Sequence, residues 1–172
     1  IIGFMPVYQD ADWVEWSVEN TLPFVDELIV MEGYQGPIWH FRGNRSDDGT
    51  IETLERLEDK YNKVRVFSSP WHVTRDLGKA KTYNEMLKKS DCAETGDWIF
   101  IKDSDEFYMD EQYDKMRKAI EETNKDLLKV YSRIFAFNFT YFFPSSHFRF
   151  IRVTPNMCFT PGQKPTYEDG TL

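Results

Sequence analysis

The sequence predicts an α/β domain: a mostly parallel sheet with helices on both faces and an antiparallel extension at its C-terminal end. Three observations carry this expectation. Four short apolar runs, over 1–7, 27–31, 64–67 and 98–102, are separated by stretches with helical spacing, the alternation that builds a parallel sheet through crossover helices. The last third is aromatic and β-prone, without intervening helices, so its strands pair antiparallel. The chain has 172 residues, 41% hydrophobic and 29% charged, which suits one domain with a sizeable core.

Each element follows from local pattern. Ile1-Ile2-Gly3-Phe4-Met5-Pro6-Val7 reads as a buried strand, ended by Pro6 and the polar Tyr8-Gln9-Asp10. A helix follows from about Asp12, with Val14, Val18 and Leu22 on one stripe and Asp10 or Asp12 as N-cap. Glu27-Leu28-Ile29-Val30-Met31 is a second strand. Ser46-Asp47-Asp48-Gly49-Thr50 introduces a helix carrying Ile51, Leu54, Leu57 and Tyr61. Val64-Arg65-Val66-Phe67 is a third strand, and 78–90 a third helix with Leu77, Ala80, Asn84 and Leu87 in line. Gly96-Asp97 bounds the fourth strand, 98–102, and Met109, Tyr113, Met116 and Ile120 mark a fourth helix. The stretches 135–143 and 148–153 are the antiparallel strands.

Composition narrows the function classes. The net charge of −8 argues against a nucleic-acid backbone as partner, although a metal and local cations can still draw an anionic substrate. Aromatics at 16% supply a core and stacking surface for a ring-shaped ligand. Cys92 and Cys158 form no spacing pattern and read as free thiols in a reducing compartment. No apolar run approaches a membrane span and no signal peptide is recognised, so the chain is expected to be cytoplasmic, with membrane association arising only through missing segments or partners. An Ile1 start and a Thr171-Leu172 end suggest a piece of a longer polypeptide.

The chemistry concentrates where the fourth strand ends, in Lys102-Asp103-Ser104-Asp105-Glu106. Asp103 and Asp105 can converge on one point, and carboxylates that close repel unless a cation lies between them. The alternative is a solvated acidic loop or a helix cap. Three further segments fall at strand ends or in the loops that follow: Pro6-Val7-Tyr8-Gln9-Asp10, Ser46-Asp47-Asp48-Gly49-Thr50 and Gly78-Lys79-Ala80-Lys81-Thr82-Tyr83-Asn84. A doubly wound sheet gathers such loops along one edge. Asp48 can accept from a base N–H or a ribose hydroxyl, or it or Ser46 can cap the following helix; Ser46 closing the turn while Asp48 faces a ligand satisfies both. Gly49 suits positive φ. Tyr8 can stack on a base or sit half-buried at a strand end. Gly78 opening a helix with Lys81 one turn in suits phosphate, as does Arg75 upstream, unless these are merely solvent-facing.

In order and spacing these four segments resemble the nucleotide-sugar half of GT-A glycosyltransferases of the family 2 type, over residues 1–106. The resemblance implies a GT-A, Rossmann-like nucleotide-diphospho-sugar transferase fold in a single domain, 1–172. Residues 1–106 form its nucleotide-sugar half and 107–172 a partial, truncated acceptor half. It implies a hexosyltransferase-like enzyme moving a sugar, with inversion, from a UDP- or GDP-sugar to a hydroxyl of a glycan, lipid or protein acceptor. Pro6, Val7, Tyr8, Asp48, Gly78, Lys81, Asp103, Ser104 and Asp105 would bind the donor. Asp103 and Asp105, as the D-x-D pair, would hold Mn²⁺ or Mg²⁺ against its diphosphate, with Glu106 supporting the loop and Asn84 tying its helix to another loop.

The resemblance also calls for a general base, which Asp169 of Glu168-Asp169 would supply, and for a histidine completing the metal shell. His147 lacks a convincing context, and His40 and His72 come too early. A nucleotidyltransferase would carry a basic Gly-rich loop after the first strand, where this chain has Tyr8-Gln9-Asp10-Ala11-Asp12. A non-catalytic sugar-nucleotide or glycan-binding domain is the alternative from another class. Phe135, Phe137, Phe139, Tyr141, Phe142 and Phe143 could line an acceptor groove or belong to an ordinary core.

Overall fold

The computed structural model describes residues 1–33, 45–68, 75–91, 93–136, 140–160 and 164–167. In chain order the elements are β1 (Ile2–Val7), α1 (Val14–Thr21), β2 (Glu27–Glu32), α2 (Thr50–Lys60), β3 (Val64–Ser68), α3 (Arg75–Lys89), β4 (Trp98–Ile101), α4 (Asp110–Glu122), β5 (Leu127–Ala136), β6 (Tyr141–Arg152), β7 (Met157–Thr160) and β8 (Lys164–Tyr167). One sheet runs β3-β2-β1-β4-β6-β5. β1, β2, β3 and β4 are parallel, and β6 joins β4 antiparallel with Trp98 opposite Arg152 and Phe100 opposite Phe150. β7 and β8 form a separate ribbon.

The predicted α/β class with its antiparallel extension is what the chain adopts. The reason lies in the near-continuous apolar strands, which demand cover on both faces. Along β2, Leu28 and Val30 enter the core under α1, α2 and α4, while Ile29 and Met31 enter the one under α3 and β7. Gly3 is required by close approach: a Cβ there would lie 2.7 Å from Leu28 Cδ1. Around the β4–β6 junction, Phe100 stacks on Phe150 with centroids 4.7 Å apart, and Phe24 stacks on Tyr113 at 4.6 Å. Such pairs add about 0.5–1.5 kcal/mol each beyond their buried area. The first pair anchors the extension to the parallel sheet near the end of β4.

Some boundaries depart from expectation. The N-cap of α1 is Trp13 without a side-chain cap, and Asp10 acts through its carbonyl, which accepts the amides of Trp13 and Val14 at 3.0 and 2.9 Å. α3 starts at Arg75, so Gly78 lies inside it rather than opening it. One interior glycine costs about 1 kcal/mol, and burial of Ala80, Tyr83 and Met86 from the same helix outweighs that. The stretch read as one strand over 135–143 is instead divided between β5 and β6, because a run of aromatics carries no reversal signal; residues 137–139 lie outside the described residues. No helix among the described residues is long and apolar enough to cross a membrane.

Candidate functional site

In the order β3-β2-β1-β4 the winding reverses between β1 and β4, and the C-terminal edge at such a reversal is the usual ligand position in open α/β sheets. Three of the segments singled out in the sequence are hydrogen-bonded to one another at this edge. The Gln9 amide donates to Ser46 Oγ at 2.9 Å, the Asp10 amide to Thr50 Oγ1 at 2.9 Å and the Ala11 amide to Asp48 Oδ2 at 3.1 Å. Ser104 Oγ donates to Asp10 Oδ2. The loops after β1, β2 and β4 thereby become one scaffold.

Within it the two turn residues exchange the parts expected of them. Asp48 Oδ1 accepts the Thr50 amide at 3.1 Å and its hydroxyl at 2.6 Å, so Asp48 closes the turn, with Gly49 at φ 98° as the N-cap of α2. Asp48 is exposed and its carboxyl lies below the ordinary value: burial raises it, but donation from Thr50 and Ala11 prevails. Ser46 is buried and bridges the Gln9 amide to buried Glu32, whose Oε1 accepts the Ser46 amide at 2.7 Å. Of the β1 residues, Val7 is in the core, and Pro6 and Tyr8 are half-buried. The Tyr8 amide points at Asp10 Oδ2, 3.4 Å away.

Asp10 titrates above its ordinary value. Burial is the largest cause, and the neighbouring Asp105 and Asp48 charges add to it, against donation from Ser104 and Tyr8. The edge is therefore electronegative where these carboxylates meet.

The end of β4 alternates buried and accessible groups. Lys102 is fully buried, its ammonium bonded to Ser17 Oγ and 3.4 Å from the Ser17 carbonyl oxygen. Burial lowers that ammonium to about 7, against the opposing pull of Glu106, Asp105 and Asp103. Ser104 is buried and Asp105 exposed. Asp103 is a third exposed; its Oδ2 accepts from Arg149 Nη2 at 2.9 Å, and its Oδ1 lies 4.0 Å from Lys79 Nζ. Burial raises the Asp103 carboxyl, but Arg149 and Lys79 outweigh it and hold the group below the ordinary range. Glu106 also receives Arg149 and accepts from Tyr108 Oη at 3.2 Å; there burial prevails and the carboxyl lies above its usual value.

Arg149 and Lys79 are the residues that sequence reasoning missed. Arg149 follows from register: β6 runs antiparallel to β4 with Phe150 opposite Phe100, which carries Arg149 to the level where β4 ends. The one available signal was a cation set between Phe148 and Phe150, on an aromatic stretch of the strand. Of the α3 residues, Lys79 faces Asp103, whereas Lys81 is exposed and Gly78 is buried. Asn84 ties α3 to β7, donating to the Phe159 carbonyl at 3.0 Å and accepting its amide at 2.7 Å; the tie is to a strand rather than a loop. His147 is exposed on β6, its Nε2 2.7 Å from Ser145 Oγ. Asp169, with Glu168, His40 and His72, lies outside the described residues, as does the side chain of Arg75.

Among the described residues no cluster of three or more His, Cys, Asp or Glu side chains forms a ready-made metal cage. The donor set present is of another kind: an exposed Asp105 and a partly exposed Asp103 with one oxygen on Arg149. That fits a hard cation held by one or two carboxylates and completed by substrate phosphates.

Comparison with known proteins bears on the family and the fold. The family model for glycosyl transferase family 2 matches residues 43–169. A search of curated proteins finds no match. Among solved structures, 4-diphosphocytidyl-2C-methyl-D-erythritol synthase is similar with a TM-score of 0.50 and 15% identity, over 88% of this chain and 73% of that one. At that identity the likeness is one of fold.

Proposed function

This chain belongs to glycosyl transferase family 2, and on that premise we propose that it moves a hexosyl group from a UDP- or GDP-sugar to a hydroxyl of a glycan, lipid or protein, with inversion and dependence on Mn²⁺ or Mg²⁺. The observation that carries the reading is the hydrogen-bonded union of the loops after β1, β2 and β4 at the C-terminal edge of the sheet, with the Asp103-Ser104-Asp105 segment among them.

Residues 1–106 form the donor half and 107–172 the acceptor half of one domain. The half-buried ring of Tyr8 and the backbone of Pro6 and Val7 line the base, with Asp48 beside the ribose. Lys79, beside Asp103, offers an ammonium for a diphosphate, and Gly78 and Lys81 belong to the same helical segment. Asp103 and Asp105 would hold the divalent ion, which supplies positive charge to the departing diphosphate. Arg149 supports this role by keeping Asp103 ionised and fixing its rotamer. Ser104 locks the loop to Asp10. Asp169 is the proposed base: its carboxylate takes the acceptor hydroxyl proton as that oxygen bonds to the anomeric carbon, and the electron pair of the breaking bond leaves on the diphosphate oxygen.

The test is thermal melting with UDP or GDP, with and without Mn²⁺, followed by incubation with a panel of nucleotide sugars and assay for free nucleoside diphosphate. Ligand at about a hundred times its dissociation constant adds about 2.7 kcal/mol. A metal-dependent melting shift with sugar-dependent diphosphate release supports the transferase. A shift without release under any donor and acceptor tried would favour a binding domain, and no shift at all would overturn the nucleotide site.

A further inference from the structure

The β5–β6 ribbon outgrows the sheet that carries it. Of the ribbon, only Phe150, Ile151 and Arg152 pair with β4, while β5 and β6 remain paired with each other out to Ala136 opposite Tyr141. From Lys129 opposite Phe148 to that end is seven steps, about 23 Å of strand. The ribbon is graded along its length. At its far end Ile134, Phe135, Tyr141, Phe142 and Phe143 are each 45% to 65% exposed. Cross-strand register puts Phe135 and Phe142 on one face and Ile134 and Phe143 on the other. Among the described residues, both faces of this end, 134–135 against 142–143, are therefore apolar. Set back from it are Arg133, over the Phe142 ring at 4.7 Å, and Lys129, over the Phe148 ring at 4.7 Å, with Ser132, Ser145, Ser146, His147, Val130 and the 84% exposed Tyr131 between. Neither strand contains an aspartate or glutamate, in a chain of net charge −8.

We infer that this ribbon is a membrane-surface anchor whose aromatic tip enters the interface of an anionic bilayer, with Arg133 and Lys129 at the headgroups. Four features select a bilayer over a folded partner. A protein groove or a strand of nucleic acid covers one face, whereas a fluid phase surrounds both. The apolar tip, 134–136 against 141–143, is about 10 Å deep, the depth to which interfacial segments bury their apolar side. The absence of acidic residues, with two cations behind the tip, complements anionic headgroups while the rest of the surface is repelled, so the ribbon also sets the orientation. Aromatic side chains are those that favour this boundary. The anchor needs no donor, metal or catalytic residue, so it stands apart from the proposed transferase activity.

Co-sedimentation of the 172-residue chain with vesicles of phosphatidylcholine, and of phosphatidylcholine mixed with phosphatidylserine, tests it. The expected result is pelleting with the anionic vesicles, weakened by added salt. Paired Phe142→Ser and Phe143→Ser substitutions abolish it. Paired Lys129→Gln and Arg133→Gln substitutions, at exposed positions whose loss leaves the melting temperature unchanged, weaken it roughly thirtyfold, the equivalent of about 1 kcal/mol per cation. Failure of the parent chain to pellet with anionic vesicles overturns the inference, as does unchanged pelleting of the Gln pair. A concentration-dependent dimer, seen by sedimentation velocity without vesicle binding and lost in the Ser pair, would assign the tip to a second copy of the chain.

Discussion

Arg149 on β6 donates to Asp103 just beyond β4, Nη2 to Oδ2 at 2.9 Å, and to Glu106 with the same nitrogen. The antiparallel extension thereby supplies the cation that steadies the acidic end of the parallel sheet. Arg149→Met should leave two carboxylates facing each other without their partner. Because the Arg149 side chain is only 8% exposed, the loss is expected near the lower end for broken buried pairs, about 3 kcal/mol in urea unfolding. A change under 1 kcal/mol would mean that Lys79 alone suffices to neutralise Asp103.

Lys102 links stability to pH. Burial lowers its ammonium to about 7 from 10.5. Between those values the unfolded chain holds a proton that the folded chain has released, so stability rises with pH over that window, by at most about 1.4 kcal/mol per unit. Below about 7 both states are protonated and the contribution is flat. Urea midpoints from pH 6 to 10 should show this slope in the parent chain and its reduction in Lys102→Met. Parallel profiles in the two proteins would count against a neutral buried lysine.

Asp105 is exposed, so Asp105→Ala should leave the fold within about 0.5 kcal/mol of the parent. The same change is expected to remove the Mn²⁺-dependent part of the nucleotide melting shift. Asp103→Ala should remove it to a similar degree, while also lowering stability by freeing buried Arg149. Retained metal-dependent affinity in both variants defeats the D-x-D assignment.

Asn84 holds β7 against α3 through two bonds to Phe159. Asn84→Ala leaves the Phe159 amide and carbonyl without that partner, and about 1–3 kcal/mol of stability should go with it. Amide exchange read at Phe159 distinguishes local release of the ribbon from global loss. Faster exchange there, with β1 unaffected, is the expected pattern.

Much of the sheet's C-terminal edge was legible in the strand ends, because a parallel sheet forces its C-terminal loops into one place. Pro6 to Asp10, Ser46 to Thr50 and Asp103 to Asp105 are brought together as their positions after apolar runs imply. The parts played at the turn were less legible: Ser46 and Asp48 are both good cap residues. In the fold the Ser46 hydroxyl is taken by the Gln9 amide from the loop after β1, and Asp48 closes the turn. Lys81 against Lys79 shows the same limit. Two residues apart on a helix they point in very different directions, and the start of α3 at Arg75 is not marked by any breaker.

What the residues alone determine here is periodicity: which runs bury both faces, which stripes cover them, and that an acidic cluster follows the fourth strand. Those are consequences of local spacing and solvation, which each segment carries with it. Tertiary structure decided which charges meet. Arg149 lies 46 positions from Asp103, and their contact depends on the register of β6 against β4, set by the stacking of Phe100 on Phe150. A one-residue slip would turn Arg149 to the other face of the sheet, so the electrostatics of the edge come from long-range packing.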